Sequence, residues 1–236
     1  MAPQTTSVLK AIFFDFNGVI IDDEALQMKA YQEIFREYQI ELSEQWYLDA
    51  LGMDDQTFVR AIFARAQKPL DDTVLKSMLE AKGRLHRAMI EEELPLFPGV
   101  LTFLKATARN YHLGLVSMAS PVEVKYVFDR ARIDQLFSVI VTAENVSVCK
   151  PAPDCYRCGL GKLNEERRRH RLLPVLSSEC LAIEDSPPGI KSARAVGMKT
   201  LGVTNTVSEA DLRAAGADIV TPSLADWTVE AVELLY

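Results

Sequence analysis

Leu9-Lys-Ala-Ile-Phe-Phe-Asp15-Phe-Asn17-Gly18-Val19 is the stretch that decides how the rest of the chain is read. Its apolar positions run almost without interruption rather than alternating with polar ones. That is the mark of a strand covered on both faces, the usual state of a strand inside a parallel sheet. The run then meets an aspartate and passes into Asn-Gly. In an open parallel sheet ligands gather beyond the carboxyl ends of the strands, so a carboxylate stationed there is a candidate for chemistry.

Similar runs recur downstream at Leu113–Met118, Val139–Ala143, Cys180–Glu184, Lys199–Val203 and, more weakly, Asp218–Thr221. They alternate with helical patterns, which predicts an α/β fold on a parallel sheet. Between Asp23 and Leu94 the texture changes to helix-favouring sequence, with apolar residues three and four apart at Tyr31, Ile34, Phe35 and Tyr38. The expected organisation is a core of residues 1–22 and 95–236 interrupted by a helical domain over 23–94. The domain rejoins the core through Pro95-Leu-Phe-Pro98-Gly99, where the prolines and glycine break the helix.

The chain has 236 residues, 48% hydrophobic and 25% charged, with a formal net charge of -7. That charge argues against non-specific attraction to nucleic acid or anionic membranes, both polyanions. No apolar run approaches the roughly 20 residues needed to span a bilayer, and Met1–Lys10 lacks the apolar stretch of a secretory signal, so the expected location is the cytoplasm. No protein partner is evident. Four cysteines are too few for a disulfide scaffold. Cys155 and Cys158 have CxxC spacing, but they fall in a helical pattern with no second CxxC, and are expected to pack as small apolar residues. The mixed-sign run Glu165-Glu-Arg-Arg-Arg-His-Arg171 is expected to be a solvated helix end.

Four apolar runs or their following loops end in polar residues that form one chemical set: Asp15, Ser117, Lys150 and the pair Glu184-Asp185. Phosphoryl transfer to a carboxylate needs such a set. Asp15 supplies a nucleophile, and with Glu184 and Asp185 it supplies hard oxygen ligands for Mg²⁺. Ser117 can donate to a phosphoryl oxygen, and Lys150 can set a compact cation beside developing charge. Gly18 lets backbone amides approach a phosphate closely. Met118, directly after Ser117, joins the candidate substrate-binding positions.

Asp15-Phe-Asn-Gly-Val, Ser117, Lys150-Pro-Ala-Pro-Asp154 and Glu184-Asp-Ser-Pro-Pro-Gly-Ile190 together resemble the four motifs of the haloacid-dehalogenase-like superfamily, in its phosphoglycolate-phosphatase-like and β-phosphoglucomutase-like branch. The resemblance spans nearly the whole chain. It implies a Rossmann-like core with a helical cap inserted after the first motif, and a Mg²⁺-dependent enzyme acting on a small phosphorylated metabolite. It further implies that Asp15 is nucleophile and metal ligand, that Asn17 lends its backbone carbonyl to the metal, and that Glu184 and Asp185 complete the ligation. By the same resemblance Gln27 and Lys82 are candidate substrate contacts on the cap side. A second helical base, Arg84, is near Lys82.

One position departs from the family pattern. Phosphatases and mutases of this group carry a second aspartate two residues after the nucleophile, as general acid and then base; here it is Asn17, and an amide cannot shuttle a proton. Three readings stay open: an amide introduced to trap a complex, a chain with weak or altered chemistry, or substitution by Asp22, Asp23 or Glu24. A dehalogenase is disfavoured because the Glu184-Asp185 pair is retained. A mutase is disfavoured because Gln27 stands where β-phosphoglucomutases carry a histidine, and Leu51-Gly-Met-Asp-Asp55 offers no base for a second phosphate. The rival to a phosphatase is a protein that binds a phosphorylated ligand without turnover.

Overall fold

In the computed structural model residues 8–235 are described, so residues 1–7 and 236 of the expected core segments lie outside it. The chain runs β1 (Ala11–Phe14), α1 (Glu24–Glu37), α2 (Glu44–Leu48), α3 (Asp55–Arg65), α4 (Asp72–Met89), α5 (Val100–Thr107), β2 (His112–Val116), α6 (Pro121–Ala131) and β3 (Phe137–Val141). It continues through α7 (Asp154–Arg169), β4 (Cys180–Glu184), α8 (Pro187–Val196), β5 (Lys199–Val203), α9 (Glu209–Ala214), β6 (Ile219–Thr221) and α10 (Val229–Glu233). The expected parallel α/β fold is the fold observed. All six strands are parallel, in the order β3-β2-β1-β4-β5-β6, a Rossmann-like sheet.

Strand β1 is central, pairing Phe14 with Leu115 of β2 on one side and with Ile183 of β4 on the other. Its four residues are fully buried, which explains the continuous apolar run. Successive side chains point to opposite faces. Ile12 and Phe14 join one core layer with Phe103 and Phe128, while Ala11 and Phe13 join the other with Tyr156 and Leu163. Four strands differ from the expected runs by one or two residues at their ends: the first, expected over Leu9–Phe16, the second, which spans His112–Val116, the third, and the last, which starts at Ile219. The first strand stops at Phe14, because Phe16 already caps a turn whose carbonyl accepts from Ile20 N–H at 2.8 Å. The third starts at Phe137 and ends at Val141, since Ala143 begins a single 3₁₀ turn.

Helices α1 to α4 bury a hydrophobic cluster of their own, with Tyr31, Phe35, Phe58, Phe63 and Met78 at its centre. The two segments joining them to the sheet run side by side: Asp22 N–H donates to the Pro95 carbonyl at 2.7 Å, and Phe97 N–H to the Ile20 carbonyl at 3.2 Å. Gly99 then opens α5 from the left-handed region, at φ 78°. Among the described residues no helix is long and apolar enough to cross a membrane.

The cysteines and the charged run behave as expected. Cys155 is buried and Cys158 partly buried on α7, both packed in the core layer around Tyr156 and Leu163. The end of α7 is exposed, with Arg169 paired to Glu165 and Glu166 and His170 to Glu166.

Candidate active site

Because β2, β1 and β4 are neighbours in register, the residues that follow them emerge side by side at the carboxyl edge. These are Ser117, Asp15 and Asp185, with Glu184 as the last residue of β4. Asp15 N–H donates to the Ile183 carbonyl at 3.0 Å, which extends the ladder by one residue and fixes where its side chain leaves the sheet. Phe16 N–H donates to Asp15 Oδ1 at 2.7 Å.

Lys150 reaches this edge from the loop between β3 and α7. Its Nζ lies 2.9 Å from Asp15 Oδ2 and 2.6 Å from Glu184 Oε1, and donates to the Val116 carbonyl at 3.1 Å. Burial alone would lower its pKa, but Asp15 and Glu184 together hold it well above the usual lysine range. Tyr156 OH donates to Glu184 Oε1 at 2.5 Å, and Thr206 OH donates to Asp185 Oδ2. Neither contact has a sequence signal, because each joins the edge from a different element.

Asp15, Glu184 and Asp185 each offer an oxygen, all within 4.8 Å of one another. Among the described residues one ammonium, Lys150, pairs with this group, through Asp15 and Glu184. Burial first, then the neighbouring Asp15, pushes both Glu184 and Asp185 well above the usual carboxylate range. A hard divalent cation is what such an oxygen set accommodates, because it restores to each carboxylate the charge stabilisation lost with water. Two glycines make the room. A Cβ on Gly18, whose φ is +73°, would fall 1.9 Å from Asp185 Oδ2, and one on Gly189 would fall 1.8 Å from Glu184 Oε2. Gly18 thus serves the carboxylates directly beneath the cleft; its own carbonyl accepts from Asn205 Nδ2 at 2.7 Å.

A cleft opens above this edge, between the sheet and helices α1 to α4. Asp15, Asn17, Ser117, Met118, Lys150 and Asp185 line it from the sheet side, and Glu24, Gln27, Tyr31, Tyr47, Asp55 and Lys82 from the helical side. Nine of the ten expected site residues therefore converge, Glu184 sitting just behind Lys150, or share one wall. Lys82 is not a free cation: its Nζ lies 3.1 Å from Asp55 and 3.4 Å from Glu123. Gln27 is buried, donating through Nε2 to Asp23 at 3.0 Å and to Glu123. Arg84 is not among the residues lining the cleft.

Beside the cleft lies a polar cluster that sequence reasoning did not find. His86 of α4 sits with Nε2 2.9 Å from Asp23 Oδ2 and Nδ1 3.3 Å from Glu123 Oε1 of α6. Asn17 Nδ2 donates to both carboxyl oxygens of Asp23, each at 3.0 Å. Asn17 is therefore a partner of Asp23 as well as a neighbour of Asp15.

The fold is that of the parallel-sheet α/β class, with a cleft lined by polar and charged side chains at the carboxyl edge of the sheet. The chain belongs to the haloacid dehalogenase-like hydrolase family, whose profile matches residues 12–203. YhcW of Bacillus subtilis is 31% identical over 85% of this chain and 86% of its own length. Hexitol phosphatase B of Escherichia coli is 25% identical over 96% of this chain and 97% of its own. The crystal structure of β-phosphoglucomutase from Clostridium difficile superposes with a TM-score of 0.82 at 22% identity, covering 96% of each chain. The chain also matches SUPPRESSOR OF QUENCHING 1 of Arabidopsis thaliana at 24% identity over 95% of its own length, but it spans 20% of that larger protein.

Proposed function

We propose that this chain is a Mg²⁺-dependent phosphatase that hydrolyses a small sugar-phosphate-like metabolite through an aspartyl-phosphate at Asp15. The observation that carries the reading is the position of Asp15. It is held at the edge by its own backbone bond to β4, beside the Lys150 ammonium at 2.9 Å and with a carboxylate oxygen within 4.8 Å of ones on Glu184 and Asp185.

In this reading Asp15 Oδ attacks phosphorus, and Lys150 and the Ser117 hydroxyl stabilise the phosphoryl oxygens. Asp15, Glu184, Asp185 and the Asn17 carbonyl would hold Mg²⁺, which neutralises the repulsion between anionic substrate and anionic nucleophile. Residues 23–94 act as a cap over the edge, joined to it by the paired strands of chain near Ile21–Asp23 and Leu94–Pro98, so that water is excluded during transfer. Gln27 and Lys82 belong to the substrate-choosing wall. The clamping of Lys82 between Asp55 and Glu123 favours a phosphatase over a mutase, which has a second phosphate to grip. The names of its relatives, hexitol phosphatase B among them, are the reason for choosing the sugar-phosphate class over phosphoglycolate.

The test is phosphate release from a panel of hexose phosphates, hexitol phosphates, phosphoglycolate and nucleotides, with Mg²⁺ and with EDTA. Turnover of one or more sugar or sugar-alcohol phosphates that vanishes in EDTA is expected. Uniform inactivity, together with saturable binding of the same compounds by calorimetry, would instead make the chain a phosphate-ligand binder.

A further inference from the structure

Resting on the phosphatase reading, the reaction needs a proton for the departing alkoxide and a base for the attacking water, and Asn17 can provide neither. Three acids follow it in sequence. Asp22 is exposed and is not among the residues lining the cleft. Asp23 is fully buried and already engaged, accepting from Asn17 and Gln27 and facing His86. Glu24, the first residue of α1, lines the same cleft as Asp15 and Asn17. Tyr47 OH of α2 donates to its Oε2 at 2.5 Å, holding the carboxyl in the cleft wall.

We propose that Glu24 is the general acid and base of this chain, taking over from the helical side the task that position 17 cannot perform. As the bond between Asp15 Oδ and phosphorus forms and the bond from phosphorus to the substrate oxygen breaks, the Glu24 carboxyl gives its proton to that leaving oxygen and the alcohol departs. The Glu24 carboxylate then takes a proton from water as the water oxygen attacks phosphorus. The bond to Asp15 breaks, phosphate is released, and both carboxyl groups return to their starting state. Asn17 becomes a positioning residue, whose amide holds Asp23, the residue before Glu24 in the chain.

The surroundings suit that task. Burial first, then the charge of Asp23, pushes the Glu24 carboxyl up from 4.5 to about 7, so that near neutral pH it can both give and take a proton. Tyr47 from α2 bonds it directly, and the charges that act on it are those of Asp15 and Asp23 from the loop after β1, Asp185 after β4 and Lys82 from α4. The carboxylates raise it, and the Tyr47 bond and the Lys82 charge oppose them.

Glu24→Gln keeps the shape and can still accept from Tyr47, so it removes the proton alone. With the full chain saturated in Mg²⁺, turnover of the best alkyl phosphate from the panel should fall about 10² to 10⁴-fold. p-Nitrophenyl phosphate, whose leaving group needs no proton, should still give a full-rate burst of nitrophenolate followed by slow turnover. Mg²⁺ affinity should be unchanged, and the pH limb assigned to the acid should disappear. Tyr47→Phe is the second variant: it takes away a hydrogen bond to the ionised carboxylate and should move that limb to higher pH. A Glu24→Gln variant within about tenfold of the parent on alkyl phosphates overturns the proposal, as does loss of the nitrophenolate burst together with Mg²⁺ affinity, which would make Glu24 structural. A parent inactive on every phosphate defeats the phosphatase reading instead, so the two failures are distinguishable.

Discussion

Replacing Lys150 with methionine removes one positive charge from the most crowded point of the site and little of its volume. The ammonium is buried and lies 2.6 Å from Glu184, itself fully buried, and 2.9 Å from Asp15. Without it two carboxylates face each other with no cation between them. Breaking a buried ion pair by removing one partner costs about 3 to 5 kcal/mol, because the partner left behind has lost both water and its counter-charge. In a chain of this size each kcal/mol is worth about 2 to 4 °C, so the metal-free variant should melt roughly 6 to 20 °C below the parent. Mg²⁺ should return part of the loss, since a ligand at 100 times its Kd adds about 2.7 kcal/mol to the native state. Urea denaturation followed by circular dichroism, in EDTA and in saturating Mg²⁺, measures both numbers. A loss under about 1 kcal/mol, unaffected by Mg²⁺, would show that Lys150 and the carboxylates are not energetically coupled and refute this account of the site.

Two further outcomes follow from the same charges. In metal-free protein the Glu24 carboxyl is raised from 4.5 to about 7, so between those values the folded state keeps a proton that the unfolded chain has released. Stability should therefore be fullest below about pH 4.5 and fall as pH rises to about 7, by about 3 kcal/mol from Glu24 alone at 1.36 kcal/mol per pKa unit. Glu184 and Asp185, also raised, act in the same direction; urea midpoints in EDTA from pH 5 to 8 that rise instead would contradict the assignment. The last outcome concerns Asn17→Asp, which sets a carboxylate against Asp23 in place of two 3.0 Å hydrogen bonds. With Glu24 already carrying the proton, turnover should stay within about tenfold of the parent while stability drops by about 1 to 3 kcal/mol. A gain of about 10² or more would show that the shuttle had been missing and would remove the role given to Glu24.

The parallel sheet, the approximate place of each strand and the residues that follow them are legible in the sequence. Those features are local: a buried strand needs an unbroken apolar run, and its first polar residue falls at the sheet edge wherever the strand lies. Hence Asp15, Ser117, Glu184 and Asp185 could be placed before their distances were known, and the helical texture of 23–94 could be separated from the strands around it. What those residues face is set by packing. That Lys82 is clamped by Asp55 and Glu123, and that His86 of α4 stands between Asp23 and Glu123, depends on how separate helices pack against the sheet. The choice among Asp22, Asp23 and Glu24 is of the same kind. The three are consecutive and chemically alike, and what separates them is direction: the first is exposed, the second is buried against Asn17, Gln27 and His86, and the third lines the same cleft as Asp15, with burial pushing its carboxyl up to about 7. Desolvation and the field of neighbouring charges exist only once the elements are packed, and so no motif records them.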